Sequence, residues 1–160
     1  MDEIRVHIRW IVRRDMPSVL RIERFNREKW TEKEFVENLK ESNCYGIVAE
    51  YQEKVVGFVV YTLEKEFIHT LNFGVHPSYR SKGVGSQLLA RLLSLIGKKR
   101  KTVDFIVHER NVGLQLFLKE NGFKAIEIIH DYFDKDDAYM FQYILRNDSE
   151  FLYKRRKTVG

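Results

Sequence analysis

The chain has 160 residues, of which 44% are hydrophobic, 13% aromatic and 32% charged. This composition, with only two prolines, excludes a disordered or low-complexity protein, and the length is typical of one folded domain. No apolar run reaches the roughly 18 residues that a membrane span needs, and the opening MDEIRVHIRW lacks the apolar stretch of a secretory signal. The single cysteine, Cys44, cannot form an internal disulfide, which predicts a reducing, cytoplasmic environment.

The net charge of +5 predicts attraction to polyanions. The basic residues are spread along the chain, and no RNA-binding signature with interleaved aromatic residues is present. Direct nucleic-acid binding is therefore not favoured, although a basic RNA-binding domain stays open as an alternative. The five histidines show no tight ligand spacing, so no metal site is predicted.

The first half of the chain is typical of one strand, two helices and then three consecutive strands. Alternation over residues 4–12 predicts a half-buried strand with Trp10 on its apolar face. Asp15 is predicted to cap a first helix with Pro17 in its first turn, and residues 31–34 form a capping box for a second. Residues 45–50 and 55–63 predict an antiparallel hairpin, and residues 67–75 predict the next strand.

The second half begins with a helix whose apolar positions follow the i, i+3, i+4 rule and for which Gly97 is the predicted C-cap. A strand over residues 102–108, a helix opened by Asn111 and closed at Gly122, and strands over residues 123–129 and 138–145 follow. We expect one domain over residues 1–148 and a basic, flexible tail over residues 149–160.

A short basic glycine loop joins the strand that ends at Val75 to the helix that follows. The first N–H groups of a helix lack intrahelical partners and carry the positive end of the helix dipole. Gly83 and Gly85 allow an oxygen-rich group to approach the backbone, and Arg80 and Lys82 add charge. The loop therefore predicts a phosphate or pyrophosphate site; the alternative is a tight strand-to-helix turn without a ligand.

This stretch, V-x-P-x-Y-R-x-x-G-x-G-x-x-L-L, resembles the acetyl-CoA signature of the GNAT N-acetyltransferases. The predicted order of strands and helices is also that of the GNAT fold. The resemblance implies an α/β (α+β) protein with a mixed central sheet of about seven strands, mostly antiparallel, with helices on both faces and a splay between strands 4 and 5. It implies acetyl-CoA as the cofactor, bound by Phe73, Gly74, Val75, Arg80, Ser81, Lys82, Gly83, Val84, Gly85 and Ser86.

Two later segments extend the resemblance. V-x-x-x-N followed by an apolar helix and N-G-F is similar to the family's second motif, which implies that Asn111 hydrogen-bonds the pantetheine arm. Residues 132–140 are similar to the ending of the ribosomal-protein-alanine N-acetyltransferases (RimI type). That branch implies a protein N-terminus or peptide as acceptor, including a ribosomal protein, with no membrane partner and a monomeric or homodimeric state. The implied substrate contacts are Phe25, Trp30, Tyr132 and Tyr139; for Trp30, a hydrophobic staple at the helix start is the alternative.

The catalytic positions of that branch differ in this chain. Ile106 stands where the family has its glutamate base, and Leu118 stands where it has its tyrosine acid; neither side chain transfers a proton. Asp104 and His108 share a strand face with Ile106 and are the predicted replacements, acting through a bridging water, with solvated edge positions as the alternative. His69, Glu23 and Tyr139 are further candidates.

The sequence therefore predicts an acetyl-CoA-dependent N-acetyltransferase acting on a protein N-terminal α-amine. A small-molecule amine as acceptor and a non-catalytic acyl-CoA-binding module are the alternatives. The second follows from Ile106 and Leu118, because cofactor binding does not need the missing base and acid.

Overall fold

The computed structural model describes residues 2–144. Hydrogen bonding orders their seven strands as β1-β2-β3-β4-β5-β7-β6, mostly antiparallel, with β4 and β5 running parallel. The predicted mixed sheet and fold class are confirmed, whereas the splay between strands 4 and 5 stays a prediction. The elements are β1 His7–Trp10, α1 Met16–Glu23, α2 Glu32–Leu39, β2 Cys44–Tyr51, β3 Lys54–Leu63, β4 Phe67–Val75, α3 Val84–Leu93, β5 Thr102–His108, α4 Val112–Glu120, β6 Lys124–Phe133 and β7 Asp136–Ile144.

The chain divides into two compact units. The first comprises the residues up to Leu63 together with Thr70–Ser94, and the second comprises Glu64–His69 and the described residues from Leu95 onward. The single domain over residues 1–148 stays a prediction, and the predicted basic tail lies outside the described residues. No helix within residues 2–144 has both the length and the apolar character that a bilayer crossing requires.

In the first unit, β3 carries different helices on its two faces. Phe58 is fully buried in a cluster with Ile22 of α1 and Phe35 of α2. At the neighbouring Gly57, an added Cβ would lie on the opposite face of the strand, 3.0 Å from Leu88 Cδ1 of α3. Since successive strand residues alternate between faces, α1 and α2 cover one face of β3 and α3 covers the other. Cys44 belongs to the buried cluster.

The β2–β3 hairpin forms as predicted and turns at Gln52 and Glu53. Both residues have positive φ, 48° and 66°, the backbone twist that tight two-residue hairpins favour. The register shifts between Ala49 and Glu50, and Ala49 pairs with Gly57. Gly57 therefore lies beside a bulge and also packs closely against α3, and both are positions where a strand favours glycine.

The first strand is shorter than the predicted residues 4–12, and Trp10 is 58% exposed rather than buried. The residues before β1 leave the sheet because Gln87 of α3 captures their backbone. Its Nε2 donates to the Ile4 carbonyl at 2.7 Å, and its Oε1 accepts from the Val6 N–H at 3.1 Å. Alternation along the sequence predicts a face, but it does not reveal a competing side chain from another element.

Asp15 precedes α1, as predicted, but it makes no side-chain cap to that helix. Its carboxylate instead accepts two 2.8 Å hydrogen bonds from the Arg9 guanidinium and one from the Val12 N–H. Burial acts to raise the pKa of Asp15, but these hydrogen bonds outweigh burial and hold the pKa below its ordinary 3.8. Asp15 thereby ties β1 to the turn before α1.

Asp15→Asn is expected to lower the free energy of unfolding at pH 7 by about 1–3 kcal/mol, because it removes the charge of a buried acceptor from its Arg9 and Val12 donors. Since the folded pKa is lowered, the stabilisation is complete above pH 3.8 and is lost as the pH falls through the folded value. Urea unfolding of the wild type and of Asp15→Asn between pH 7 and pH 2.5 measures the difference in their free energies of unfolding. A difference between wild type and variant that stays constant over this range would contradict the assignment.

In the second unit, α4 is framed by two local signals that were both predicted. The Asn111 side chain accepts from the Leu114 N–H at its start. At its end Gly122, with φ of 89°, donates to the Lys119 carbonyl while Phe123 donates to the Leu118 carbonyl. This pair of bonds is the Schellman motif.

Helix α3 of the first unit departs from prediction, because it ends at Leu93 and Gly97 lies beyond it without capping it.

Candidate active site

The loop after β4 presents the amino end of α3. Its cap residue, Gly83, has φ of 83°, a conformation that favours glycine. The first intrahelical bond runs from the Gln87 N–H to the Gly83 carbonyl. Helix geometry therefore leaves the N–H groups of Gly83, Val84, Gly85 and Ser86 without intrahelical acceptors. Ser86 is exposed, and the four donors form a start of the kind that binds phosphate oxygens.

The two cationic side chains of the loop, Arg80 and Lys82, make different contacts. Arg80 Nε donates to the Val75 carbonyl at 3.0 Å and so fixes the loop to the end of β4. Lys82 Nζ lies 5.8 Å from the centre of the Tyr79 ring, within range of a cation–π interaction. The loop carries positive charge beside the amino end of α3, as an anion site requires.

A buried polar network holds the end of β4 in the first unit. The Glu23 carboxylate accepts from the side chains of Asn26 and Asn72 and from the Trp30 N–H. The same two asparagines bind the Phe73 backbone: Asn26 donates to its carbonyl at 3.1 Å, and Asn72 accepts from its N–H at 2.8 Å. Burial raises the pKa of Glu23, although the three donors oppose that shift. The network connects α1, the segment before α2 and a predicted cofactor contact.

The two predicted substrate contacts of the first unit differ in exposure. Phe25 is exposed beyond the end of α1 and packs edge-on against His76 at 5.6 Å. Trp30 is half-buried and packs against Phe35 at 5.0 Å, one residue before the Thr31 cap of α2. This contact is a hydrophobic staple, the alternative that the sequence left open. A substrate role for either residue stays a prediction.

In the second unit, Asp104 of β5 is completely buried and pairs with Nδ1 of His69 on β4. The alternative of a solvated edge position is therefore wrong for Asp104, and it is equally wrong for His108, which is also buried. The His69 side chain keeps 23% of its surface exposed. The pair joins one predicted catalytic residue to a candidate that the sequence supported less.

His108 has both ring nitrogens engaged within the protein. Nδ1 accepts from the Arg110 N–H at 3.0 Å, so the hydrogen of the neutral ring lies on Nε2, which donates to Asp136 at 3.1 Å. The ring also stacks on Phe133 at 5.0 Å. A proton-transfer role for His108 would need one of these bonds to break.

The remaining family positions have their own surroundings. Ile106 is half-buried on the strand face of Asp104, and Leu118 is fully buried in α4. The Asn111 oxygen caps α4 at 3.2 Å, so a contact with a ligand would be made by its Nδ2 group. Together these contacts give Leu118 and Asn111 structural roles within the second unit.

The two tyrosines predicted as substrate contacts lie on neighbouring strands, β6 and β7. Tyr139 of β7 pairs with Val107 of β5, and directly paired residues share a sheet face. Since side chains alternate along β5, Val107 and Tyr139 lie on the opposite face from Asp104. Tyr132 on β6 is exposed and packs edge-on against Phe133 at 4.8 Å. Within residues 2–144, no three His, Cys, Asp or Glu side chains form a group that could hold a metal ion.

Comparison with known proteins identifies the family. The model of the Acetyltransferase (GNAT) family matches residues 7–123. An N-alpha-acetyltransferase of Sulfurisphaera tokodaii is 28% identical over 122 residues, which are 66% of this chain and 72% of the relative. Ard1 from Thermoplasma volcanium superposes with a TM-score of 0.80 at 27% identity, over 88% of this chain and 98% of that chain.

The ribosomal-protein-S18-alanine N-acetyltransferase from Escherichia coli shares the fold, with a TM-score of 0.75 at 20% identity, over 88% and 94% of the two chains. The sheet, the glycine loop and the family match together define an acetyltransferase. The chain belongs to the GNAT acetyltransferase family. It is an acetyl-CoA-dependent N-acetyltransferase.

Proposed function

We propose that this enzyme acetylates the N-terminal α-amine of proteins, with ribosomal-protein N-termini that begin with alanine as the first class to test. The similarity to an N-alpha-acetyltransferase over two thirds of the chain carries the proposal. The ending Tyr132-Phe133…Asp136-Asp137-Ala138-Tyr139 supports it, because it resembles the branch that modifies ribosomal alanine termini. Such acceptors arise at the ribosome, so the proposal places the enzyme in the cytoplasm.

The amino end of α3 is the proposed pyrophosphate site for acetyl-CoA. The positive φ of Gly83, the four N–H groups that begin α3 and the charges of Arg80 and Lys82 match a diphosphate in charge and hydrogen-bonding capacity. The Phe73–Val75 backbone, which Asn26 and Asn72 hold at Phe73, is the proposed neighbour of the acyl arm. Bound there, acetyl-CoA supplies an already reactive thioester, and the protein aligns the acceptor with it.

Exposed aromatic side chains support a peptide acceptor. Phe25 and Tyr132 both offer large apolar surfaces with little rotamer freedom to lose, which suits contact with the first side chains of a peptide. The two residues belong to different units, and each is proposed as a contact on its own evidence.

The test is an acceptor panel with acetyl-CoA, in which free CoA thiol and product mass are both followed. The panel contains peptides that begin with alanine, serine or methionine, the same peptides with a blocked N-terminus and an internal lysine, and the small amines spermidine and kanamycin. We expect release of thiol with the free N-termini, and with the alanine peptides above the others. Turnover of only the small amines, or of only the internal lysine, would overturn the proposed acceptor class.

A further inference from the structure

The second unit contains a buried polar cluster that the family motifs do not describe. Asp104 pairs with His69, and directly across from Asp104 on β7 lies Gln142. Gln142 is only 2% exposed, and neither polar atom of its amide has a hydrogen-bond partner among the described residues. Directly paired residues of neighbouring strands have side chains about 5 Å apart on one face. Three polar side chains thus occupy one region of the sheet.

Such a cluster is costly to keep. An unsatisfied buried amide destabilises a protein, and unsatisfied groups of this kind call for an explanation such as a catalytic role. The cluster lies beside Ile106, because Asp104 and Ile106 are two residues apart on one face of β5, a separation of about 7 Å. Ile106 occupies the position where the family's glutamate base would stand. The cluster therefore lies where this chain lacks a proton acceptor.

The Asp104 pairing decides which ring nitrogen of His69 is a base. A carboxylate accepts, so Nδ1 of His69 carries the hydrogen and donates to Asp104. The neutral ring then has its lone pair on Nε2, which is the atom that can take a proton. His108 is the opposite case, since its Nδ1 accepts and its Nε2 donates. Of these two histidines, only His69 has an accepting nitrogen on a ring that reaches solvent.

We propose that His69 is the general base of the acetyl transfer and that Asp104 is a positioning residue that fixes its tautomer. This inference rests on the proposed function. One proton of the acceptor ammonium passes to Nε2 of His69 and from there to solvent. The amine nitrogen then bonds to the thioester carbonyl carbon, the carbon–sulfur bond breaks, and the second proton of the nitrogen passes to the departing CoA thiolate.

The kinetic test replaces His69 by glutamine and uses the best acceptor of the peptide panel. Loss of a general base costs about 10² to 10⁴ in rate, so we expect kcat to fall at least 10²-fold while the affinity for CoA, measured by calorimetry, stays within twofold. His130→Gln is the matched control, because His130 also pairs with an aspartate, Asp137 at 3.2 Å, but is exposed. We expect the control to keep wild-type kcat. Imidazole is expected to restore part of the rate in His69→Ala.

The second test reads the tautomer without turnover. Nitrogen-15 shifts of the neutral His69 ring are expected to report Nδ1 protonated in the wild type. In Asp104→Asn we expect a mixture of tautomers together with a fall in kcat at unchanged acceptor KM. The His69 variants keep the proposal testable if Asp104→Asn does not fold.

Three results would overturn the inference. They are a kcat of His69→Gln within twofold of wild type, a fall in His130→Gln equal to that in His69→Gln, and an Nε2-protonated His69 ring in the wild type. A wild-type enzyme that acetylates no amine would overturn the proposed function and the role of His69 together. Turnover that survives His69→Gln overturns the role of His69 alone.

Discussion

Ser86→Asp is expected to weaken CoA binding about tenfold or more without harming the fold. The new carboxylate would stand in the first turn of α3, among the N–H groups proposed to hold the pyrophosphate. Two like charges about 4 Å apart repel by about 1 kcal/mol in bulk water and by about 4 kcal/mol near a protein surface. A difference of about 1.4 kcal/mol is a factor of ten in affinity. The same carboxylate interacts favourably with the helix dipole, by about 0.3–1 kcal/mol. Binding and stability should therefore change in opposite directions.

The matched control is Ser94→Asp, which makes the same substitution at the other end of α3. Ser94 is exposed at the C-cap and lies eight residues away, about 12 Å along the helix axis. It changes the net charge equally, so a general effect of charge would appear in both variants. Calorimetry with CoA measures the affinities, and thermal unfolding measures stability. Equal losses of affinity in the two variants would argue against a pyrophosphate site at the start of α3.

Gly74→Ala is expected to destabilise the first unit by about 1–3 kcal/mol, the usual cost of overpacking a core. An added Cβ would lie 2.9 Å from Phe58 Cε1, 3.0 Å from Ile22 Cγ2 and 3.2 Å from Asn26 Nδ2. Phe58 and Ile22 are fully buried, so they have little room to move. Asn26 is the neighbour that can shift, and its movement would release the Phe73 carbonyl and weaken the network around Glu23.

Urea unfolding measures the stability change in Gly74→Ala, and CoA calorimetry measures the effect of releasing Phe73. Gly113→Ala is the control, because an added Cβ at that exposed position of α4 meets nothing within 4 Å. Helix propensity predicts that this control is stabilised by about 0.5–1 kcal/mol. A Gly74→Ala protein as stable as wild type would mean that α1 and β3 adjust more easily than their packing indicates.

Local signals predicted most of the elements correctly. Thr31 and Glu34 form the expected capping box, Asn111 and Gly122 bound α4, and the strand predicted over residues 102–108 has those limits. These predictions succeed because each depends on side chains within a few residues of one another. The glycine loop belongs to the same class, since its composition already determines a helix start with free N–H groups.

Predictions failed or stayed incomplete where a group on another strand or helix competes. Asp15 was predicted as a helix cap, but the Arg9 guanidinium on β1 takes its carboxylate. The strand predicted from residue 4 begins only at His7, because Gln87 of α3 binds the backbone of the residues before it, and Trp10 at its end is exposed rather than buried. The sequence contains every one of these groups and still does not reveal which of them meet.

The sequence by itself determined the order of elements, the family and the glycine loop that begins α3, because the motifs that define them are continuous along the chain. Only the tertiary structure decided how the polar side chains pair: Glu23 with Asn72, 49 residues apart, and His69 with Asp104, 35 residues apart. Periodicity predicts the strand face on which a residue lies, but strand order and register decide its neighbour on that face. Asp104 was therefore recognisable as a polar residue beside Ile106, whereas its burial and its partner His69 follow only from the assembled sheet.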